Sequence, residues 1–352
     1  MKEIIIRFLS EKKREIIIFC LFALATAVMV ILLLQMGENQ KITVKNRIYY
    51  QYFDTVSTIY DYSGGSEESF AEAYTEFEES LDRYHKLFDI YNEYEGINNI
   101  ATINRLAGVE PVKVDSEVID MLEFAVEMHE ITGGHVNVAM GSVLSIWHKY
   151  RAEEIAIPTD EELSEAAKHM DITKLVIDKE NSTVYLSDPE MSLDVGAIAK
   201  GYAAEKIASD LVERGITSYV IDLGGNLRAI GSKKDGSSWK TGVQNPNPTA
   251  SEPYVYYLYI TDTSVVTSGD YQRKYTVDGK DYHHIINKDT LMPSDHFSSV
   301  TVVTKDSGLA DALSTALFNM DYEEGKKLLS SLTDVSCVWV TTDGNVVTYG
   351  LD

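Results

Sequence analysis

Asp311 and Thr315 carry oxygen-bearing side chains four residues apart, in the run Leu309-Ala-Asp-Ala-Leu-Ser-Thr-Ala-Leu317. Read as a helix, that spacing puts both on one face, while Leu309, Leu313, Ala316 and Leu317 cover the buried side. A carboxylate and a hydroxyl facing a small-residue region are part of a hard oxygen site for a cation such as Mg2+, which takes few protein ligands and leaves room for phosphates. The pair would equally suit helix capping and solvation. Upstream, Leu193-Asp-Val-Gly-Ala-Ile-Ala-Lys-Gly-Tyr202 strings small residues where a helix opens after a strand. Free amides at a helix start, the positive end of its dipole and Lys200 would together attract phosphate or carboxylate. Gly and Ala at such a junction also serve simply as packing devices, and the run is not a Walker A loop.

Other segments offer polar groups on turns or strands. Asp222-Leu-Gly-Gly-Asn226 places two glycines just after a strand, for close approach to a ligand or for a tight turn. Ser268-Gly-Asp270 reads as another loop, in which Asp270 accepts hydrogen bonds from a ligand or caps the turn. In Tyr282-His-His-Ile-Ile286 the two histidines must point to opposite faces of a strand. One could carry a proton near neutral pH and the other would lie on the surface.

These groups need a frame, and the hydropathy pattern supplies one. Residues 48–60 read as a first strand. Ser66 caps a long amphipathic helix with Phe70, Tyr74, Phe77, Leu81, Tyr84 and Phe88 at three- and four-residue spacing. A second helix begins near Ser116 and stops at Gly133-Gly134, and Thr159 with Glu162 forms a capping box. Strands are expected at 175–177, 184–186, 219–221, 227–230, 254–260, 275–277, 282–286 and 298–303, with Asp278-Gly279 as a hairpin turn. Helices are expected at 197–213, 307–319 and 322–332. Strands mixed with helices, without regular alternation, indicate an α+β fold with mixed and antiparallel sheets.

The first forty residues tell a separate story. From Ile16 to Leu34 every residue but Thr26 is apolar, long enough for a membrane-spanning helix. Lys2, Arg7, Lys12, Lys13 and Arg14 precede it and would stay cytoplasmic. The expected organisation is a cytoplasmic 1–14, a transmembrane anchor at 15–35, a tether at 36–47 and an extracytoplasmic domain at 48–352, held at the cell membrane. Cys20 and Cys337 are the only cysteines, so neither a disulfide framework nor a zinc set is available. A net charge of -24 argues against nucleic-acid binding, because a phosphate backbone would be repelled.

Taken in order, the segments resemble the ApbE family of FAD:protein FMN transferases. Thr132-Gly-Gly-His-Val-Asn137 and Gly141-Ser-Val-Leu144 approach the family's Thr-Gly-Gly turn and Gly-Pro-Leu, with Asn137 where aspartate is usual. Asp194 to Tyr202, Gly224 to Asn226, Thr267 to Tyr271, His284 to Asn287 and Leu309 to Leu317 match further family motifs. The resemblance implies an ApbE-like, T-fold-like architecture, with FAD as substrate and Mg2+ bound through Asp311, Thr315 and the backbone carbonyl of Ala197. It implies FAD contacts from Phe53, Tyr91, His135, Val136, Asn137, Asp194, Lys200 and Ile285. His284 falls where the family has a histidine important for transfer, and Asp270 is a second candidate proton acceptor. The implied partner is an exported or membrane flavoprotein that receives FMN on a Ser or Thr hydroxyl. FAD hydrolysis to FMN and AMP, or FAD binding without turnover, are the alternatives.

Overall fold

The structure, a computed structural model, describes residues 43–351. The 15–35 segment read as a membrane span lies outside the described residues. Among the described residues no helix is long and apolar enough to cross a membrane. Residues 44–351 show no internal division, and the first strand already begins at Lys45, within the stretch expected to be tether.

The fold is α+β. Eight strands form one antiparallel sheet whose spatial order follows the chain: Lys45–Tyr49, Ser57–Asp61, Tyr219–Leu223, Asn226–Ile230, Ser264–Gly269, Phe297–Thr304, Ser336–Thr341 and Val346–Tyr349. Side chains alternate across it, and the alternation separates two cores. Ile221, Ile230, Val266, Val300 and Val302 point to the face covered by the helices Glu67–Phe88, Ala199–Glu213 and Ser307–Asn319. Val220, Ala229, Val265 and Val338 point to the other face, against the hairpin Trp239–Gln244 and Tyr254–Ile260. A smaller core gathers Trp147, Tyr275 and Tyr282 beside the helix Gly141–Glu153.

Helix starts follow the expected chemistry. Ser66 accepts from the Ser69 amide, and Thr159 and Glu162 form the reciprocal capping box. The expected strand at 48–60 is instead a hairpin. Its turn holds Phe53 and Asp54 at φ +53 and +50, so residues whose composition favours a strand bend back on themselves. Two further expectations are corrected. Ser268-Gly269 is not loop but the end of a sheet strand, where Ser268 pairs with Val300 and Gly269 with Ser299, beyond the point at which pairing on the other side stops at Val266. The strand expected at 282–286 ends at His283, so His284 to Ile286 leave the hairpin.

One contact sets the spacing of the two central helices. A Cβ on Gly201 would stand 2.3 Å from the Ser307 carbonyl oxygen and 2.4 Å from Asp311 Cβ, so only glycine admits this approach. Glu205, one turn on, accepts from the Ser307 amide at 2.9 Å and pairs with the buried Arg228 at 3.0 Å. Glu205 therefore caps the second helix from the side of the first. Gly201→Ala should destabilise the fold by about 1–3 kcal/mol through overpacking, read as a lower urea midpoint at unchanged slope. A midpoint equal to wild type would mean the helices can separate without cost.

Candidate active site

The close approach at Gly201 brings the small-residue turn to the Asp311 helix. Asp311 is 4% exposed. Its Oδ2 accepts the Gly201 amide at 2.8 Å and lies 3.8 Å from Lys200 Nζ. Burial pushes the Asp311 carboxyl toward protonation, while Lys200, the Gly201 amide and the Asn226 side chain favour the carboxylate. The Asn226 Nδ2 is buried and makes no hydrogen bond of good geometry. Solvation of Asp311, the plainer reading from sequence, is excluded by its burial.

The Gly201 bond has a second effect. In an uninterrupted helix the Gly201 amide would bond the carbonyl four residues back, on Ala197. Here it is diverted to Asp311, and among the described residues the Ala197 carbonyl accepts no hydrogen bond. An unused carbonyl, a buried carboxylate and the Thr315 hydroxyl make an all-oxygen donor set, which fits a hard divalent cation. Among the described residues no three His, Cys, Asp or Glu side chains converge on a metal. A cation here would rest on a single acid, as Mg2+ commonly does when phosphates complete its shell.

Asp194 connects this centre to a second cluster. Its Oδ1 accepts the Gly196 amide at 2.8 Å, and its backbone amide bonds the Val138 carbonyl at 2.8 Å. Its Oδ2 lies 3.8 Å from His148 Nε2, and His148 Nδ1 meets the Tyr91 hydroxyl at 3.0 Å. Burial is the main cause that lowers the proton affinity of His148, with Asp194 opposing it. The Tyr91 residue is 68% exposed, leaving ring surface for a planar ligand. Phe53 sits in the left-handed turn, its amide 3.2 Å from His85 Nδ1, and the next residue, Asp54, accepts from Arg273 at its carbonyl at 2.8 Å.

The two histidines divide their work by hydrogen bonding, not by strand faces. His283 uses both nitrogens, Nε2 donating to the Ser294 carbonyl at 2.7 Å and Nδ1 accepting the Ile285 amide at 3.2 Å. It is not a surface residue. His284 Nδ1 lies 3.3 Å from the Arg273 carbonyl. A carbonyl only accepts, so Nδ1 carries the proton and Nε2 keeps a lone pair. Burial, helped by the positive charges of Arg273 and Arg151, lowers the His284 pKa to about 3. Asp270 lies instead toward His283 and Lys274, and burial raises its proton affinity.

Four expected ligand contacts are already buried or engaged within the protein. His135 reaches Glu324 at 3.3 Å, and Val136 is buried with its amide on the Thr132 hydroxyl. Asn137 caps the next turn through the Ala139 amide at 3.0 Å and reaches the Met170 carbonyl at 2.9 Å. Ile285 is buried, with its carbonyl accepting the Ser294 amide. Sequence reasoning missed His148, Arg151 and Arg273. His148 and Arg151 follow Trp147 on one helix, and only the fold turns that helix toward Asp194. For Arg273 the signal was its place two residues after Tyr271 in a matched motif.

A family model described as the ApbE family matches residues 36–339. The chain belongs to the ApbE family and is an enzyme. A relative from Treponema pallidum (strain Nichols), named FAD:protein FMN transferase, is 34% identical over 261 residues, covering 70% of this chain and 72% of its own. A relative of the same name from Klebsiella pneumoniae (strain 342) is 28% identical over 270 residues, covering 74% and 83%. Among solved structures, the ApbE protein from Thermotoga maritima aligns with a TM-score of 0.76 at 27% identity, covering 88% of this chain and 97% of that one. The likeness to the family thus extends over the sheet, both central helices and the turn that frees Ala197.

His284 yields a pH test. An unfolded chain would protonate this ring near 6.5, whereas the folded one resists to about 3. Between those values the unfolded state binds more protons, so stability falls as pH drops from 6.5 toward 3. The stability advantage of wild type over His284→Gln should shrink across that window in urea titrations. A His284 NMR resonance titrating near 6.5 would contradict the assignment.

Proposed function

We propose that this chain transfers the FMN half of FAD to a Ser or Thr hydroxyl of a partner flavoprotein, releasing AMP. The observation that carries this reading is the freed Ala197 carbonyl beside buried Asp311, at one end of a helix start that also presents Lys200. Mg2+ bound by Asp311, Thr315 and the Ala197 carbonyl would supply charge neutralisation on the diphosphate. Lys200 and the amides of the helix start would hold phosphate oxygens in a protein that is otherwise strongly acidic. Tyr91 and Phe53 would flank the flavin ring.

The chemistry is a substitution at phosphorus. The acceptor oxygen bonds to the FMN-side phosphorus, and the bond from that phosphorus to the bridging oxygen breaks. AMP leaves with the bridging oxygen. The acceptor proton passes to His284 Nε2, whose lone pair is kept available by the Nδ1 contact with Arg273. Asp270 is the second candidate acceptor, its carboxyl lying toward His283 and Lys274.

The purified protein with FAD, Mg2+ and a flavoprotein acceptor should give covalent FMN on the acceptor, seen as a mass increase by mass spectrometry. Asp311→Ala should reduce the rate by about 100-fold or more. His284→Gln should lower kcat by about 100-fold with little change in the KM for FAD. Equal AMP release with and without acceptor would make the enzyme a pyrophosphatase instead. Intact FAD after long incubation would make it a binding protein.

The apolar 15–35 segment supports a place at the cell membrane, with the catalytic part extracytoplasmic and the acceptor on the same side. Protease added to intact cells should then digest residues beyond 36 and spare the first fourteen. Protection of the whole chain would reverse that orientation.

A further inference from the structure

Behind Thr315 lies a chain of hydroxyls whose direction is set by its far end. Ser314 is wholly buried and donates to the Asp311 carbonyl at 2.9 Å. A carbonyl can only accept, so the single Ser314 proton is committed. Ser268 Oγ lies 2.9 Å from Ser314 Oγ, and the proton in that contact has to come from Ser268. With its own proton spent, Ser268 can meet Thr315 Oγ1, 3.4 Å away, only as an acceptor. The Thr315 proton is thereby drawn toward Ser268, and the remaining Thr315 lone pairs are left for another partner.

Ser268 reaches this place through sheet geometry. It lies two residues after Val266 on the face covered by helices, and the strand carries it under the Asp311 helix. It belongs to neither of the segments that provide the expected cation ligands. Its hydroxyl is not needed to complete the strand, whose ladder uses only backbone groups.

We propose that Ser268 and Ser314 form a one-way hydroxyl relay that keeps Thr315 Oγ1 a lone-pair donor toward a divalent cation, with Ser268 as a positioning residue for the site. The relay rests on the metal reading given under Proposed function. Groups behind a ligand orient it and tune its donor strength, and their loss typically weakens metal binding by about 10–100-fold. At 3.4 Å the contact to Thr315 is the longest in the chain. A cation that draws electron density from Thr315 Oγ1 makes its O–H a better donor and strengthens that link.

The test is Mn2+ binding to the full-length protein in detergent without FAD, following free Mn2+ by electron paramagnetic resonance. The variants are Ser268→Ala, Ser268→Thr, Thr315→Ala and the double variant Ser268→Ala/Thr315→Ala. Ser268→Ala should weaken Mn2+ binding about tenfold with an unchanged melting temperature, and Ser268→Thr should recover most of the loss. In the Thr315→Ala background, Ser268→Ala should add nothing. Wild-type affinity in Ser268→Ala, or the same loss with Thr315 already removed, overturns the relay. A wild-type protein that binds no Mn2+ removes the metal reading and the relay together. Binding by wild type with Ser268→Ala unaffected removes only the relay.

Discussion

A single hydrogen bond organises the centre of this protein, from the Gly201 amide to the Asp311 carboxylate. It can form only because residue 201 has no side chain to hold the two helices apart. It favours the charged form of an acid that burial pushes toward its neutral form. It also removes the hydrogen-bond donor that would have occupied the Ala197 carbonyl. A hydrogen-bonded acid and an unused carbonyl, two parts of a cation site, thus follow from one backbone N–H.

Electrostatics in the rest of the site work against the overall charge. With 55 acidic and 31 basic residues, the chain needs cations placed locally if it is to hold a diphosphate. Lys200 is set beside Asp311, and Arg273 and Arg151 are set near His284. Asp54 meets Arg273 at 3.4 Å from the exposed end of the turn, so part of that charge is already paired. The arginines also help keep His284 uncharged, as a proton acceptor must be.

Much of the scaffold was legible from residue pattern. The caps at Ser66 and Thr159, the stop at Gly133-Gly134 and the helix at 307–319 depend on local chemistry, which neighbouring residues carry in full. The 48–60 stretch was misread because its Tyr, Val and Thr content favours strands, while the left-handed bend at Phe53 and Asp54 is imposed by contacts with His85 and Arg273 from distant segments. Ser268-Gly-Asp270 was misread for the converse reason. Gly and Asp suggest a loop, yet pairing of Ser268 with Val300 and of Gly269 with Ser299 overrides that preference.

The sequence by itself determined the α+β class, the spacing of Asp311 and Thr315 on one helical face, and the order of motifs that marks the family, because each is a property of adjacent or periodic residues. Only the tertiary structure decided that the Ala197 carbonyl is free, that His283 is occupied while His284 keeps a lone pair, and that Ser268 stands behind Thr315. Those facts concern which donor meets which acceptor between segments separated by 11, 46 and 110 residues of chain, and a hydrogen bond at such range is settled by packing rather than by composition.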